Sequence, residues 1–186
     1  ELILVNSADF GVPQARERMF FVGIKDSVPF EMSGYLRQHS RPHVTTQEAI
    51  LHLGRQGTEL NPQTCRAKVT LAANPILRKS PYAGMLFNGL GRPLNPKRPC
   101  ATLPASMGGN KTPIIDEEQY YGSGESWVEW YHARLLNGEE PLDWQSTPEF
   151  IRRLTLNEAK VLHSFPEDFE FCGPVSSIYS QIGNAV

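Results

Sequence analysis

Residues 6–18 read NSADFGVPQARER, and the apolar runs on either side of this stretch determine how it is interpreted. Residues 1–6 and 19–24 are rich in apolar and β-branched side chains, which favour extended strands. The Gly-Val-Pro tripeptide at 11–13 is typical of a loop, because glycine and proline interrupt regular structure. The pattern therefore predicts a strand, a loop and a second strand, with the charged QARER segment at the entrance to the second strand.

Two helix starts can be read further along the chain. Thr45 is followed three residues later by Glu48, and Thr155 is followed in the same way by Glu158. Each pair resembles a capping box, in which the two side chains accept hydrogen bonds from backbone N–H groups at the start of a helix. The second helix should end before Pro166, because proline cannot continue a helix.

The middle of the chain carries fewer periodic signals. Residues 55–113 are rich in Pro, Gly and Asn with short apolar pieces, which predicts an irregular and mostly β region. Trp127, Tyr131 and Leu135 then recur at a spacing of four residues, which predicts a helix with one apolar face. The Asn-Gly pair at 137–138 should end that helix.

Composition indicates a globular protein. The 186 residues are 40% apolar and 20% charged, and the length suits one ordinary domain or two small ones. No apolar run approaches the roughly 20 residues of a membrane span, so we expect a cytoplasmic protein without a membrane partner. Cys65, Cys100 and Cys172 are far apart and form no Cys-x-x-Cys pair, so neither a metal site nor a disulfide framework is expected.

The net charge of −2 hides a strong partition along the chain. Residues 37–111 carry eleven Lys and Arg against Glu48 and Glu59 only, whereas residues 112–186 carry four basic and thirteen acidic residues. A basic segment of this kind can bind phosphates, because each neutralised phosphate releases counterions. It can equally pair with the acidic segment inside one fold. Charge alone leaves these two interpretations even.

The segment at 14–18 resembles the eighth conserved motif of the cytosine-5 DNA methyltransferases, whose core is Gln-x-Arg-x-Arg followed by a strand. Gln14, Arg16 and Arg18 match that core, and residues 19–24 match the strand. The resemblance implies that Arg18 reaches a cytosine flipped out of the duplex and that Arg16 helps to organise its pocket. The chemistry requires donors at the exposed carbonyl and positive charge to offset the electron density gained during attack.

Further stretches match the same family in the family's order. Residues 98–109 (RPCATLPASMGG) resemble the ninth motif, which braces the target-recognition domain. Residues 153–166 and 179–186 resemble the tenth motif, whose end lines the S-adenosyl-L-methionine pocket, and residues 45–50 resemble a helix found after the eighth motif. With four matches in order over nearly the whole chain, the chain is identified as a member of this family rather than as an unrelated basic domain.

The resemblance implies an α+β architecture: the β-hairpin and C-terminal segment of an α/β methyltransferase catalytic domain, together with a small, mostly β target-recognition domain. Residues 1–36 would be the end of the catalytic domain, 37–150 the target-recognition domain, and 151–186 a segment that returns to the catalytic domain. The family's catalytic Pro-Cys-Gln and Glu-Asn-Val motifs do not occur in these 186 residues. We therefore expect a C-terminal fragment that is inactive alone, or one half of a naturally split enzyme.

By this resemblance, the complete enzyme transfers a methyl group from S-adenosyl-L-methionine to C5 of a DNA cytosine through a covalent Cys adduct. The expected partners are double-stranded DNA with a flipped cytosine and the missing N-terminal catalytic portion, in a bacterial restriction-modification setting. The residues that the resemblance assigns to the active site are Gln14, Arg16 and Arg18, and those that it assigns to the cofactor pocket are Asn184, Ala185 and Val186.

Two stretches resemble other motifs of the family without matching them. Cys100 follows a proline as in the catalytic Pro-Cys-Gln, but Ala101 replaces the Gln, so we expect Cys100 to be a small buried residue. Residues 87–91 (FNGLG) spell the cofactor-binding Phe-x-Gly-x-Gly, but an Arg-Pro pair follows at once, where that motif needs a helix.

The position of residues 87–91 just before the ninth motif instead matches a recognition loop, in which glycines let the backbone approach base edges. Arg92 suits a guanine edge, because a guanidinium can donate two hydrogen bonds to it. For Lys79, Asn88 and Arg92, the alternative interpretation is that each belongs to an ordinary polar turn. The residues predicted to contact DNA are Arg78, Lys79, Asn88, Gly89, Gly91 and Arg92.

Overall fold

The structure of the protein is a computed structural model that describes residues 1–25, 31–62 and 66–185. Short strands and helices alternate along these residues. The strands are β1 (Leu2–Asn6), β2 (Gln14–Ala15), β3 (Glu17–Phe21), β4 (Leu71–Ile76), β5 (Met85–Phe87), β6 (Cys100–Ala101), β7 (Ile114–Asp116) and β8 (Ile151–Arg153). The helices are α1 (Met32–Gln38), α2 (Thr46–Ile50), α3 (Glu117–Tyr121), α4 (Trp127–Leu136), α5 (Leu156–Leu162) and α6 (Val175–Asn184). No helix in the described part of the chain is long and apolar enough to span a membrane.

The strands pair into small two-stranded sheets. β1 pairs with β3, β4 with β5 and β7 with β8 in antiparallel fashion, whereas β2 and β6 run parallel. The parallel pair joins residues that lie more than 80 positions apart in the sequence. The result is a mixed α and β fold built from small sheets, in agreement with the predicted α+β mixture.

The N-terminal segment forms the predicted strand, loop and strand. β1 and β3 are antiparallel with Leu2 opposite Phe21, and the loop contains a turn of 3-10 helix that ends at Gly11, whose φ is 82°. That left-handed conformation favours glycine, because a Cβ there meets the backbone. The second strand ends at Phe21 and not at residue 24 as predicted, although Glu1 and Val22 still exchange backbone hydrogen bonds of 2.7 and 2.8 Å beyond the Leu2–Phe21 pair.

The first hydrophobic core is organised by α2, α5 and α6 together with the segment around β6. Both predicted capping boxes are present, so α2 begins after Thr45 and α5 begins after Thr155. The side chains of this core come from the segments around residues 50, 94–120 and 154–182. They are Ile50, Leu53, Leu94, Cys100, Leu103, Met107, Ile115, Tyr120, Leu154, Leu156, Ala159, Leu162, Tyr179 and Ile182.

The second hydrophobic core packs α4 against the β4–β5 hairpin. Tyr131 and Leu135 of α4 are buried, and Trp127 stacks on Tyr131 with ring centroids 5.0 Å apart, which confirms the predicted helix and its apolar face. The helix ends at Leu136 with Asn137 as its C-cap, followed by Gly138 at φ 81°. The side chains of this core are Leu71, Leu86, Phe87, Ile114, Val128, Tyr131, Leu135 and Ile151. The division into 1–36, 37–150 and 151–186 stays a prediction.

A buried ion network ties β8 to α5 and α3. Nη2 of Arg152 lies 2.7 Å from Oε1 of Glu158, and its Nε lies 3.0 Å from Oε1 of Glu117. Glu158 also accepts a hydrogen bond of 3.1 Å from the side chain of Asn61. Burial by itself would lower the pKa of Arg152, but the two carboxylates more than offset this and hold the guanidinium charged.

Candidate functional site

The QARER segment lies directly beside the segment around Cys100. Gln14 pairs with Cys100 and Ala15 with Ala101 in the parallel β2–β6 ladder, and the hydroxyl of Thr102 donates to the carbonyl of Ala15 at 3.0 Å. Gln14 is 1% exposed, and its Nε2 donates to the carbonyl of Leu162 at 3.4 Å. The structure therefore brings together the two segments that resemble the eighth and ninth motifs.

Arg16 and Arg18 are two half-buried cations that face no carboxylate among the described residues. Burial, and then the charge of Arg18, lowers the pKa of Arg16. Burial and the charge of Arg16 lower the pKa of His163 to about 4, so this ring is neutral at pH 7. Within the described residues, three buried atoms here have no hydrogen-bond partner: Oε1 of Gln14, Nε of Arg16 and Nε2 of His163. Unsatisfied buried polar atoms are costly, so this cluster is suited to receive a polar or acidic group.

Cys100 is not suited to be a nucleophile. Its side chain is 2% exposed and belongs to the first core, and burial raises the pKa of its thiol to about 12. A thiol with such a pKa is almost entirely protonated at neutral pH, whereas the thiolate is the reactive form. The expectation that Cys100 is a small buried residue is confirmed. No group of His, Cys, Asp and Glu in the described ranges has an arrangement that could hold a metal ion.

A basic cleft of about 480 Å³ lies next to β6. Cys100, Ala101 and Thr102 form part of its wall, so the cleft adjoins the strand that pairs with the QARER segment. The cations that line it are Arg92, Arg98 and Lys111, all of them exposed. In the described part of the chain, none of these three side chains is paired with a carboxylate. We refer to Arg92, Arg98 and Lys111 as the cleft cations.

The predicted recognition loop borders this cleft, and its backbone is held by the rest of the chain. The side-chain amide of Asn88 donates to the hydroxyl of Thr70 at 2.9 Å and to the carbonyl of Leu71 at 2.7 Å. A methyl group at Gly89 would overlap with the carbonyl of Asn110, and one at Gly91 would overlap with the carbonyl of Thr112. Both glycines thus have a packing reason within the chain, and their predicted approach to DNA stays a prediction.

Arg78 and Lys79 are exposed and precede Ser80, which lines the cleft. The backbone carbonyl of Arg78 accepts a hydrogen bond of 2.8 Å from Nε2 of His132, and this bond anchors the segment to α4. The two side chains lie outside the cleft lining. Their predicted contact with DNA would therefore involve the approach to the cleft and not its floor.

Ion pairs distinguish between the two interpretations of the basic middle segment. Of its eleven cations, only Arg37 and Arg55 form ion pairs among the described residues, and only Arg55 pairs with the acidic segment, through Glu117 and Glu118. Internal pairing therefore does not account for the charge. Nine exposed cations carry no such pair: Arg41, Arg66, Lys68, Arg78, Lys79, Arg92, Lys97, Arg98 and Lys111.

The end of α6 is fixed against the ninth-motif segment. Gly183 is buried, and a methyl group there would overlap with the backbone of Pro104 and Ala105. Asn184 and Ala185 follow at the end of the helix, and the amide of Asn184 donates to the hydroxyl of Ser180 at 3.4 Å. Val186, the third residue predicted to border the cofactor, lies outside the described residues.

Sequence analysis missed several residues of this region as individual candidates. Arg98 and Lys111 contributed to the basic count, but only the fold shows that they line one cleft with Arg92. His163 carries no sequence signal that would place its ring near Arg16. Arg153 was noted only as part of the tenth motif, although an arginine pair inside an apolar run could have indicated buried guanidinium groups.

The whole chain, residues 1–186, matches the family of C-5 cytosine-specific DNA methylases, and the chain belongs to this family. It is similar to two Type II methyltransferases of Neisseria gonorrhoeae. M.NgoFVII is 28% identical over 97% of this chain and 44% of its own length, and M.NgoBI is 27% identical over 98% of this chain and 45% of its own length. The chain thus spans less than half the length of these curated relatives.

Among solved structures, the Entamoeba histolytica methyltransferase EhMeth matches 100% of this chain and 48% of its own chain, with 16% identity and a TM-score of 0.48. The family predicted from the motifs is confirmed.

Proposed function

We propose that this chain is the DNA-reading part of a DNA (cytosine-5-)-methyltransferase and that it completes the active site for methyl transfer from S-adenosyl-L-methionine to cytosine C5. The substrate is double-stranded DNA with a flipped cytosine, in a bacterial restriction-modification setting. The supporting observation is the pairing of the QARER strand with the strand that lines the basic cleft, in a chain that matches the family throughout. This arrangement places the arginine pair and the cleft cations in neighbouring segments.

Catalysis requires a second portion that carries the nucleophile and the acid, and the N-terminal hairpin offers it a docking face. Leu2 and Leu4 face the same side of the hairpin as their partners Phe21 and Met19, and these side chains are 55%, 66%, 82% and 60% exposed. Apolar patches of this kind mark interaction surfaces. The opposite face packs toward α1, so docking of the second portion would leave both faces of the hairpin covered.

Arg16 and Arg18 support the same division of roles between this chain and the N-terminal catalytic portion. Arg16 and Arg18 have no carboxylate opposite them among the described residues, while Oε1 of Gln14 and Nε2 of His163 are buried without a partner. A carboxylate from the N-terminal catalytic portion would accept from Nε of Arg16 and offset the two arginine charges, whereas Oε1 of Gln14 would need a hydrogen-bond donor. Arg18 would then donate to the flipped cytosine, and Arg16 would organise the pocket around it. We call the complex of this chain with its N-terminal catalytic portion the assembled enzyme.

This chain would form one side of the cofactor pocket and would not enclose the cofactor. The exposed amide of Asn184 uses one N–H in a 3.4 Å hydrogen bond, and its carbonyl oxygen accepts none from a described residue. This donor set fits one polar edge of a ligand, with the backbone of Ala185 beside it. S-adenosyl-L-methionine supplies the methyl group when it is bound, and the contacts of Asn184, Ala185 and Val186 with it are part of the proposal.

DNA binding through the cleft cations gives a direct test. We expect the chain to bind duplex DNA weakly and with a steep salt dependence. A protein that makes several phosphate contacts loses roughly a thousandfold in affinity when the salt concentration rises from about 50 to 200 mM. Reversal of Arg92, Arg98 and Lys111 to Glu should flatten the slope of log affinity against log salt by about three. Fluorescence anisotropy at several salt concentrations measures this slope.

The matched control is Lys97→Glu compared with Lys111→Glu. Both residues are exposed lysines, but only Lys111 lines the cleft. Lys97→Glu should change affinity less, and none of these exposed reversals should lower the melting temperature appreciably. If the chain alone binds too weakly to measure, the assembled enzyme is used. Salt-independent binding by the assembled enzyme, or equal effects of the two reversals, would show that the cleft does not face DNA.

A further inference from the structure

Arg153 is a buried arginine whose guanidinium contacts the predicted recognition loop. Its side chain is 2% exposed, Nη1 donates to the carbonyl of Thr112 at 2.9 Å, and Nη2 donates to the carbonyl of Asn88 at 3.4 Å. The planar guanidinium therefore bridges two backbone segments that border the cleft. A buried arginine used in this way is uncommon, since burying the charge is costly unless its donors are matched.

The guanidinium packs so closely against residue 91 that a side chain there would overlap with it. A methyl group at Gly91 would overlap with both the carbonyl of Thr112 and Nη1 of Arg153. The amide of Gly91 also donates to the carbonyl of Asn110 at 3.0 Å. Residues 88–91, residues 110–112 and Arg153 thus form one packed unit, which includes the cleft cation Lys111 and is followed directly in sequence by the cleft cation Arg92.

The backbone that carries Arg153 is fixed from both sides. The preceding residue, Arg152, is held in the buried ion pair with Glu158 of α5. The carbonyl of the following residue, Leu154, accepts a hydrogen bond of 2.6 Å from the hydroxyl of Tyr179 in α6. Arg153 therefore projects toward the loop from a rigid base, and its position is set by the helices of the first core.

We propose that Arg153 is a positioning residue for DNA sequence recognition: it sets the backbone of the 88–92 loop so that Arg92 faces the cleft. This inference rests on the proposed function. Arg153 itself is buried and would not touch DNA. Its effect would act through the loop, because a base-reading side chain must be held in one geometry to discriminate between base pairs.

The test compares Arg153→Lys and Arg153→Met in the assembled enzyme. Lysine keeps the charge and much of the packing, but its single ammonium cannot replace a planar fork that bridges two carbonyls. We expect the ratio of methylation rates on the recognised sequence and on duplexes with one changed base pair to fall about tenfold or more in both variants. The affinity for S-adenosyl-L-methionine should stay unchanged. Gly91→Ala disturbs the same contact from the other side and should lower the ratio in the same way.

A purely structural role predicts a different pattern. In that case Arg153→Lys would keep its discrimination ratio, whatever its melting temperature, and this result overturns the inference. Arg134→Met is the control, because Arg134 forms a partly exposed ion pair with Glu139, makes no hydrogen bond to residues 88–92 within the described residues, and should leave the ratio unchanged. If Arg153→Met does not fold, Arg153→Lys decides. An unmodified assembled enzyme that does not methylate DNA refutes the proposed function itself, which is a separate outcome.

Discussion

The Arg18→Ala variant of the assembled enzyme is expected to methylate DNA at least about a hundredfold more slowly than the unmodified enzyme. A pocket donor aimed at developing charge contributes about 3 kcal/mol to the transition state, which corresponds to roughly two orders of magnitude in rate. Arg18 is half-buried in β3, and its Nη1 donates to the carbonyl of Glu17 at 2.7 Å. Its other donors would serve the flipped cytosine.

Binding to duplex DNA should change little in this variant, because phosphate contacts by the exposed cations supply most of the affinity. Single-turnover rates with saturating DNA separate the chemical step from binding. Arg37→Ala is a suitable control, since Arg37 is an exposed arginine that pairs with Glu31 and does not line the cleft. A near-normal single-turnover rate for Arg18→Ala would leave Arg18 with a structural role only.

The second large effect concerns stability. We expect Arg152→Met to lower the free energy of unfolding by about 3–5 kcal/mol, because it leaves the buried carboxylate of Glu158 without its partner. Arg152 is 8% exposed at its side chain and Glu158 is 0% exposed, so water cannot replace the lost contact. A change of this size should lower the melting temperature by about 10 °C in a chain of this length. Urea unfolding and thermal unfolding both measure it.

The variants that accompany this measurement separate charge burial from loss of packing. Arg134→Met removes a partly exposed ion pair with Glu139 and should cost no more than about 1 kcal/mol. The double variant of Arg152→Met with Glu158→Gln should be less destabilised than Arg152→Met alone, because no buried charge is left unpaired. Equal losses for Arg152→Met and Arg134→Met would mean that the buried network contributes little to the fold.

Local features of the fold were predictable because their causes are local. The capping boxes at Thr45 and Thr155 and the apolar face of α4 depend only on residues within one or two turns. The strand, loop and strand at the N-terminus follow in the same way from the glycine and proline between two apolar runs. The helices α1 and α3 contain only seven and five residues, too few for an apolar periodicity to mark them.

Long-range features could not be predicted from local patterns. The pairing of Gln14 with Cys100 joins two segments of two residues each, too short to carry a strand pattern of their own. Gly89 and Gly91 are a second example of a long-range feature that local patterns do not predict. They were predicted to let the backbone approach base edges, which stays a prediction, and the sequence could not show that Asn110 and Thr112 of the chain itself approach them closely. The motif resemblance identified the family, whereas the cleft could be recognised only in the fold.

The central claim is that this chain completes the active site of a cytosine-5 methyltransferase whose nucleophile lies in another portion. The most direct test incubates duplex DNA and S-adenosyl-L-methionine labelled in the methyl group with the chain alone, with the N-terminal catalytic portion alone, and with both. Mass spectrometry of the digested nucleosides then identifies the product. We expect label in 5-methylcytosine only when both portions are present. Label incorporated by the chain alone above a control without protein, or label found in adenine or on N4 of cytosine, would contradict the claim.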